Sequence, residues 1–469
     1  MNVIESPGDT ATEIESLRAD RRRRIGGRIE ALPARLRSDL EGFVPYLLTG
    51  RVRKVVGTII HAAVPDVQVG EIVELYNRNS GSRLLAECVG FLNEEALLSP
   101  IGETQGVSPQ TEVRRTGRVQ QIPVGSELMG RVIDGMGRFI DGLDAPFTPE
   151  AFYPIYQDPP EPMTRRIIDA PLSLGVRAID GILTCGEGQR MGVFAAAGGG
   201  KSTLLSMLVK GANVDVTVLA LIGERGREVG DFVRHAIGPE SLSRCVVVAA
   251  TSDAPPLVRV RGALRATAIA EHFRKQGKRV LLVMDSVTRF AMALREASLA
   301  AGEPPLTKGY TPTVFAALPP LLERAGRDSG PGSITAVYTV LVEGDDMNDP
   351  IADTVRGILD GHVILSRKLG DRGHHPAIDV LRSVSRVARD VSSPEHIGAA
   401  GRVRELLAAH EEAADLIQIG AYVPGSDPRV DAARSLQPAI EGLLRQPPDE
   451  ATGRSETIAR LRAISERSR

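Results

Sequence analysis

Ala195-Ala196-Ala197-Gly198-Gly199-Gly200-Lys201-Ser202 is the stretch on which the fold turns. It follows an apolar strand, Met191–Phe194, and opens a helix over Ser202–Lys210. Three successive glycines let the backbone turn tightly and aim its N–H groups at phosphate oxygens. The helix N-terminus behind them adds the positive end of a dipole. Lys201 is then placed to reach the β- and γ-phosphates of a nucleotide. Ser202 is placed to meet Mg²⁺ through its hydroxyl, with Thr203 beside the phosphates. The general phosphate-loop pattern begins with Gly, and Ala195 takes that place here. A methyl group is small, and the later glycines with Gly-Lys-Ser carry the loop. A glycine-rich turn that merely preceded a lysine would need neither the strand nor the helix.

Working outward, Arg279–Met284 reads as a second apolar strand and ends in Asp285. A carboxylate at that place holds Mg²⁺, usually through water. Strands often end in Asp, so this pattern gains its weight from the loop upstream. Val216–Ile222 reads as a third buried strand and leads through Gly223 to Glu224. Ligands bind at the C-terminal ends of parallel strands, which makes Glu224 the candidate base for orienting an attacking water. Its other reading is a surface partner for Arg225 or Arg227, and the pattern does not separate the two. Residues 375–386 form a polar segment with Arg386 at its end; on the residues alone, a structural salt bridge is the commoner fate of such an arginine.

The apolar stretches Met191–Ala195, Val216–Ile222, Cys245–Thr251, Arg279–Met284 and Ile334–Val342 alternate with helical ones such as Ser202–Lys210, Pro256–Gln276 and Val287–Ala301. Uniformly apolar strands separated by helices imply an α/β fold with a mainly parallel sheet covered on both faces. Residues 46–122 instead carry short β stretches (Arg53–Ala62, Val69–Tyr76, Leu84–Leu92) punctuated by Gly, Pro and Asn, the pattern of a small barrel. Beyond 390 the chain reads as helical, with Val403, Leu406, Leu407, Leu416 and Ile417 on one face and Ile458, Leu461 and Ile464 on another. The expected organisation is a charged extension over 1–45, a β-barrel over 46–122, an ATPase core over 123–389 and a helical region over 390–469.

Composition narrows the classes further. The formal net charge of -2 gives no bulk attraction to nucleic acid or membrane, and 4% aromatics without Trp disfavours base stacking. Cys88, Cys185 and Cys245 are far apart and lack ligand spacing, so buried thiols in a reducing compartment are expected rather than a disulfide or zinc framework. No apolar run approaches the roughly 18 residues that span a bilayer. With no secretory leader pattern, the expected residence is cytoplasmic. The arginine run 21–24 reads as part of a solvated tail, or as a contact for a partner or anionic lipid.

Several further segments together resemble the ATPases of bacterial type III protein secretion, kin to the catalytic subunit of rotary ATP synthases. They are Gly186-Glu187-Gly188-Gln189-Arg190, Ile222-Gly223-Glu224-Arg225-Gly226-Arg227-Glu228-Val229, Met284-Asp285-Ser286-Val287-Thr288-Arg289-Phe290-Ala291, Gly302-Glu303-Pro304-Pro305, Gly309-Tyr310-Thr311-Pro312, Leu322-Glu323-Arg324-Ala325-Gly326 and Leu341-Val342-Glu343-Gly344-Asp345-Asp346. Pro376-Ala377-Ile378-Asp379 is a signature of the wider rotary group. The resemblance implies an N-terminal β-barrel, a RecA-like core, a helical C-terminal domain and a homohexameric ring with ATP at subunit interfaces. It implies Lys201 and Ser202 on phosphate and Mg²⁺, Glu224 as the water-activating base, Asp285 beside the metal, and Arg386 as an arginine finger in the neighbour's site. It also implies stalk and stator proteins, secreted substrates and their chaperones as partners, no nucleic acid, and peripheral association with the inner-membrane export gate.

The chain departs from that pattern in places. His375 occupies the position where the family usually has a tyrosine packed on adenine; imidazole offers less area and can ionise. Pro319-Pro320 is expected to break its helix. The alanine at 196, the run Ser202-Thr203-Leu204-Leu205-Ser206-Met207 after the lysine and Glu187 look closer to injectisome members than to flagellar ones. A ring-shaped RNA translocase would need RNA-binding aromatics and a basic N-terminal domain. A noncatalytic regulatory subunit would generally lack the glutamate at 224.

Overall fold

The computed structural model describes residues 21, 49–102, 104–196, 198–342 and 346–468. The extension over 1–45 lies, apart from Arg21, outside the described residues, as do Ala197 and positions 343–345.

Six strands close a barrel in the order β1-β2-β5-β4-β3-β6: β1 (Thr49–Val56), β2 (Ile59–Ala63), β3 (Glu71–Tyr76), β4 (Arg83–Leu92), β5 (Glu95–Pro100) and β6 (Glu112–Val119). Closure removes free sheet edges, and alternate residues such as Val52, Ile60, Val73, Leu75, Cys88 and Leu98 fill the interior. The expected single strand over Arg53–Ala62 is two, because Gly57 at φ +57° turns the chain between β1 and β2. Two short strands, β7 (Gln121–Val124) and β9 (Ala151–Pro154), pair antiparallel where the chain leaves the barrel.

The core is one sheet in the order β17-β16-β10-β15-β13-β11-β12-β8. Its strands are β8 (Val132–Asp134), β10 (Arg190–Ala195), β11 (Val216–Ile222), β12 (Cys245–Ala250), β13 (Arg279–Asp285), β15 (Ser333–Leu341), β16 (Gly361–Leu365) and β17 (Ile378–Ser385), with the short β14 (Gly326–Arg327) beside β15. All pairings from β16 through β8 are parallel, and only β14 and β17 run against their neighbours. β11 is buried at all of its positions, as a strand covered on both faces must be. Leu219 and Leu221 face the phosphate-loop helix Lys201–Gly211, while Val218, Ala220 and Ile222 face the helices Pro256–Lys275 and Val287–Ala300. Burying each of these Leu, Val and Ile side chains stabilises the fold by about 1.5–3 kcal/mol.

The helix Pro312–Glu323 runs through Pro319 and Pro320 instead of breaking. Pro320 and Ala316 are exposed, so carbonyls freed by the prolines can bond to water. At the C-terminal end, helices Pro394–Glu412, Pro428–Leu444 and Arg454–Arg467 pack through Val403, Leu406, Ala433, Leu436, Ile440, Leu461 and Ile464. Leu416 does not continue the first helix's face: that helix ends at Glu412, and Leu416 sits exposed on the short helix Ala414–Gln418. Arg177 ties this region to the sheet, bonding to Leu443 O at 2.8 Å and Thr452 Oγ1 at 3.0 Å, and to Glu450 and Arg445 O. The three cysteines are buried free thiols. Among the described residues no helix is long and apolar enough to cross a membrane.

Candidate active site

The phosphate loop leaves β10 at Ala195 and enters its helix at Lys201. Gly198 and Gly200 adopt φ of +78° and +82°, the left-handed region that only glycine enters without strain. At Gly199 a Cβ would lie 3.1 Å from Ala196 O, so a side chain would crowd the loop's own backbone. Leu204 N–H is the first to bond back into the helix, to Gly200 O at 3.0 Å. The amides of Lys201, Ser202 and Thr203 are thereby left for an anion, and the helix dipole reinforces them.

Lys201 Nζ lies 2.5 Å from Asp285 Oδ1 and 3.3 Å from Glu224 Oε1. The three side chains are only 13%, 6% and 17% exposed, so the cluster is shielded from bulk water. Each carboxylate arrives by the same route, from the C-terminal end of a buried parallel strand next to or near β10. Gly223, at φ +73°, bends the chain out of β11 into Glu224. The surface-partner reading of Glu224 does not hold: Arg225 pairs with Glu228 at 3.2 Å and Arg227 with Asp231 at 3.5 Å.

Arg289 escaped the sequence reading, although it lies four residues beyond Asp285. Its side chain packs over Gly223, where a Cβ would come within 2.9 Å of Arg289 Cβ. Its Nε is buried with no hydrogen-bond partner among the described residues. A guanidinium held beside the turn that carries Glu224 is suited to meet a phosphate.

Two predicted residues lie away from this cluster. Arg386 is exposed, and its main contacts are a backbone bond to Asp360 O at 2.9 Å and a long one from Nη2 to Arg356 O at 3.5 Å. Asp360 N in turn bonds to Arg190 O, which places Arg386 at the N-terminal end of β10, opposite the phosphate loop. Among the described residues no carboxylate forms a salt bridge with it. His375 is exposed, and its carbonyl accepts from Gln446 N at 2.8 Å. The neighbouring His374 is buried instead, and it lines a cavity of about 550 Å³ that Ala195, Ala196, Ile364 and His410 also border. Burial, followed by the nearby Arg445 charge, pushes the His374 imidazole below its ordinary pKa and favours the neutral ring.

Among the described residues no group of three or more His, Cys, Asp or Glu side chains could hold a metal by itself. The donors here are hard oxygens: the Ser202 hydroxyl at the helix start and the Asp285 carboxylate. That set fits Mg²⁺, which keeps several waters and is completed by the phosphates of a nucleotide.

A glycine-rich loop between strand and helix, with a lysine set between two strand-end carboxylates, defines a P-loop ATPase with a RecA-like core. The ATP synthase alpha/beta family matches this chain in two places, its beta-barrel domain over residues 52–117 and its nucleotide-binding domain over 175–385. The C-terminal domain of the T3SS EscN ATPase matches residues 392–463. A type 3 secretion system ATPase of Sinorhizobium fredii is 51% identical, the alignment covering 88% of this chain and 91% of that one. A flagellum-specific ATP synthase of Bacillus subtilis is 48% identical over 90% of this chain and 96% of its own. The structure of the assembled ATPase EscN from enteropathogenic E. coli, in complex with its central stalk EscO, superimposes with a TM-score of 0.82 at 44% identity. It covers 89% of this chain and 100% of that one. The chain therefore belongs to the type III secretion and flagellar export ATPases of the ATP synthase alpha/beta family.

Proposed function

We propose that this chain hydrolyses MgATP as the motor of a bacterial type III secretion apparatus of the injectisome kind, driving chaperone release, unfolding and export of secreted proteins. The observation that carries the reading is the placement of Lys201 between Glu224 and Asp285 at the mouth of the phosphate loop. In the nucleotide-bound state Lys201 turns from these carboxylates to the β- and γ-phosphates. Glu224, released from the ammonium, orients a water in line with the γ-phosphate and takes up its proton. Ser202 and Asp285 would hold Mg²⁺, which would supply positive charge against the phosphate oxygens. The glycine turn Gly198-Gly199-Gly200 wraps the phosphates, the amides of Lys201, Ser202 and Thr203 donate to them, and His375 packs on the adenine.

Arg386 completes the site of an adjacent copy in a homohexamer. Its distance from its own chain's loop supports that reading, as does the assembled state named for EscN. A central stalk partner is proposed by analogy with the same complex, along with stator proteins, secreted substrates and their chaperones. The site of action is the cytoplasmic face of the inner membrane, by peripheral association. The functional units are taken as 46–122, 123–389 and 390–469. Flagellar export is the second reading, because flagellar relatives reach nearly the same identity as secretion ones. The EscN-type C-terminal region, Glu187, Ala196 and the run Ser202–Met207 support the injectisome.

The deciding experiment measures ATP turnover per chain over a protein concentration series, for wild type and Arg386→Ala. Specific activity that rises with concentration, and is lost in a variant that still assembles, is the expected result. A finger supplied from another chain is worth roughly 10³–10⁵ in rate. Flat activity that survives the substitution removes the ring mechanism. Restoration of effector secretion but not of motility, on expression in the corresponding deletion strains, separates the injectisome from the flagellum.

A further inference from the structure

Strand β15 lies between the phosphate-loop strand β10 and the Asp285 strand β13. Thr339 on it is 0% exposed and pairs with Val193 across β10, while its neighbour Tyr338 pairs with Met284 across β13. Side chains alternate along strands, so Thr339 shares its face with Val337, and Asp285 shares the same face with Val283. That face lies under the phosphate-loop helix, where an apolar residue would be the ordinary choice. The Thr339 hydroxyl instead lies 2.7 Å from Asp285 Oδ1 and 3.3 Å from Met284 O. A hydroxyl has one proton to donate, and the nearer carboxylate oxygen takes it.

Asp285 Oδ1 thus receives two donors, Thr339 Oγ1 and Lys201 Nζ. Among the described residues no donor bonds to Oδ2. The two donors are not equivalent. Lys201 cannot both cradle phosphates and remain on the carboxylate, whereas Thr339 is fixed in a buried strand. Once nucleotide draws the lysine away, the threonine is the donor that stays.

We propose that Thr339 is a positioning residue: it clamps Oδ1 of Asp285 so that Oδ2 is presented to the water shell of the nucleotide-bound metal. The proposal rests on the reading of Asp285 as the metal-associated carboxylate. Valine at 339 keeps the volume and removes the donor, leaving the carboxylate free to rotate whenever Lys201 is on phosphate.

The test is equilibrium binding of a fluorescent ADP to the full chain, with Mg²⁺ and with EDTA. It compares wild type, Thr339→Val, Thr339→Ser and Asp285→Asn. One hydrogen bond to a charged group sets the scale, so Thr339→Val should lose about 10-fold or more of the affinity gained on adding Mg²⁺. Its affinity in EDTA should be unchanged, and Thr339→Ser should restore the gain. A purely structural threonine would lower the melting temperature without moving the Mg²⁺-dependent term. If the valine variant does not fold, Thr339→Cys keeps a similar volume with a weak donor and should show a smaller loss of the same kind. A full Mg²⁺ gain in Thr339→Val, with Asp285→Asn impaired, overturns the threonine's role alone. A full gain in Asp285→Asn overturns the reading of Asp285, and the clamp with it.

Discussion

Arg261, on the helix Pro256–Lys275, grips Glu87 of barrel strand β4, its Nε 2.9 Å and its Nη2 2.7 Å from Oε2. The two side chains are 1% and 6% exposed, and Tyr156 donates to the other carboxylate oxygen at 2.6 Å. A buried charge pair of this kind joins the barrel to the sheet's covering helix. Removing one partner strands the other in a medium that cannot solvate it.

Glu87→Gln should therefore destabilise the chain by about 3 kcal/mol, and Tyr156→Phe by about 1 kcal/mol. Arg261 Nη1 is already buried without an acceptor among the described residues, so the pair is imperfectly satisfied. The double variant Glu87→Gln/Arg261→Met should recover much of the loss. Urea denaturation of Glu87→Gln, Arg261→Met and the double variant reads this coupling, and simply additive losses would contradict it.

Glu224→Gln keeps the shape of the side chain and removes the base. ATP turnover should fall by roughly 10²–10⁴ while nucleotide binding persists. Because Glu224 also accepts from Lys201, the amide should alter affinity only modestly. Turnover at the wild-type rate removes Glu224 from the mechanism.

Gly223→Ala should impair catalysis without touching a reacting atom. The residue's φ of +73° costs an L-residue about 1–2 kcal/mol, and its Cβ would press within 2.9 Å of Arg289 Cβ. The turn that aims Glu224 and the guanidinium over it must then shift together. A lower kcat with a small loss in melting temperature is expected; unchanged kcat would show that the turn has slack.

Acid sensitivity has a defined contributor at the sheet's far edge. Asp141 is partly buried, which by itself would raise its pKa, but the Arg131 guanidinium and the amides of Leu143 and Val132 outweigh burial and hold it at about 2. A carboxylate depressed on folding stabilises the fold above its unfolded pKa of 3.8, and that stability disappears as pH falls through about 2. Asp141→Asn should be less stable than wild type at pH 6 by about 2 kcal/mol, with the gap closing between pH 4 and 2. Denaturation midpoints at stepped pH check the sign, and a gap that widens in acid would reverse the assignment.

The elements that the sequence revealed best are those whose burial is symmetric. β11 is observed over Val216–Ile222, the span predicted, because a strand covered on both faces is apolar at every position but the small, buried Thr217. β16 and β17 went unseen for the opposite reason. β17 is an edge strand whose residues alternate between buried and partly or fully exposed, so its sequence reads as a polar segment. Thr339 was hidden inside an apolar run, since nothing in one strand's sequence tells which residue of another strand it meets. The same limit left Glu224 between two partners until Lys201 was seen to be its neighbour. That His374 is buried and lines the cavity while His375 is exposed is likewise a matter of tertiary packing, which two adjacent histidines in a sequence do not disclose.

The reversal of β17 has an arithmetic consequence. Its neighbours carry the chain toward the phosphate loop, whereas β17 carries it away and delivers Arg386 to the Arg190 end of β10. The six residues of β10 separate that arginine from its own loop by about 20 Å at the rise of a strand. No side-chain rotation closes such a gap. An arginine so placed is out of reach of its own chain's phosphate loop, and under the role proposed for Arg386 one backward strand makes the smallest complete catalyst a pair of chains.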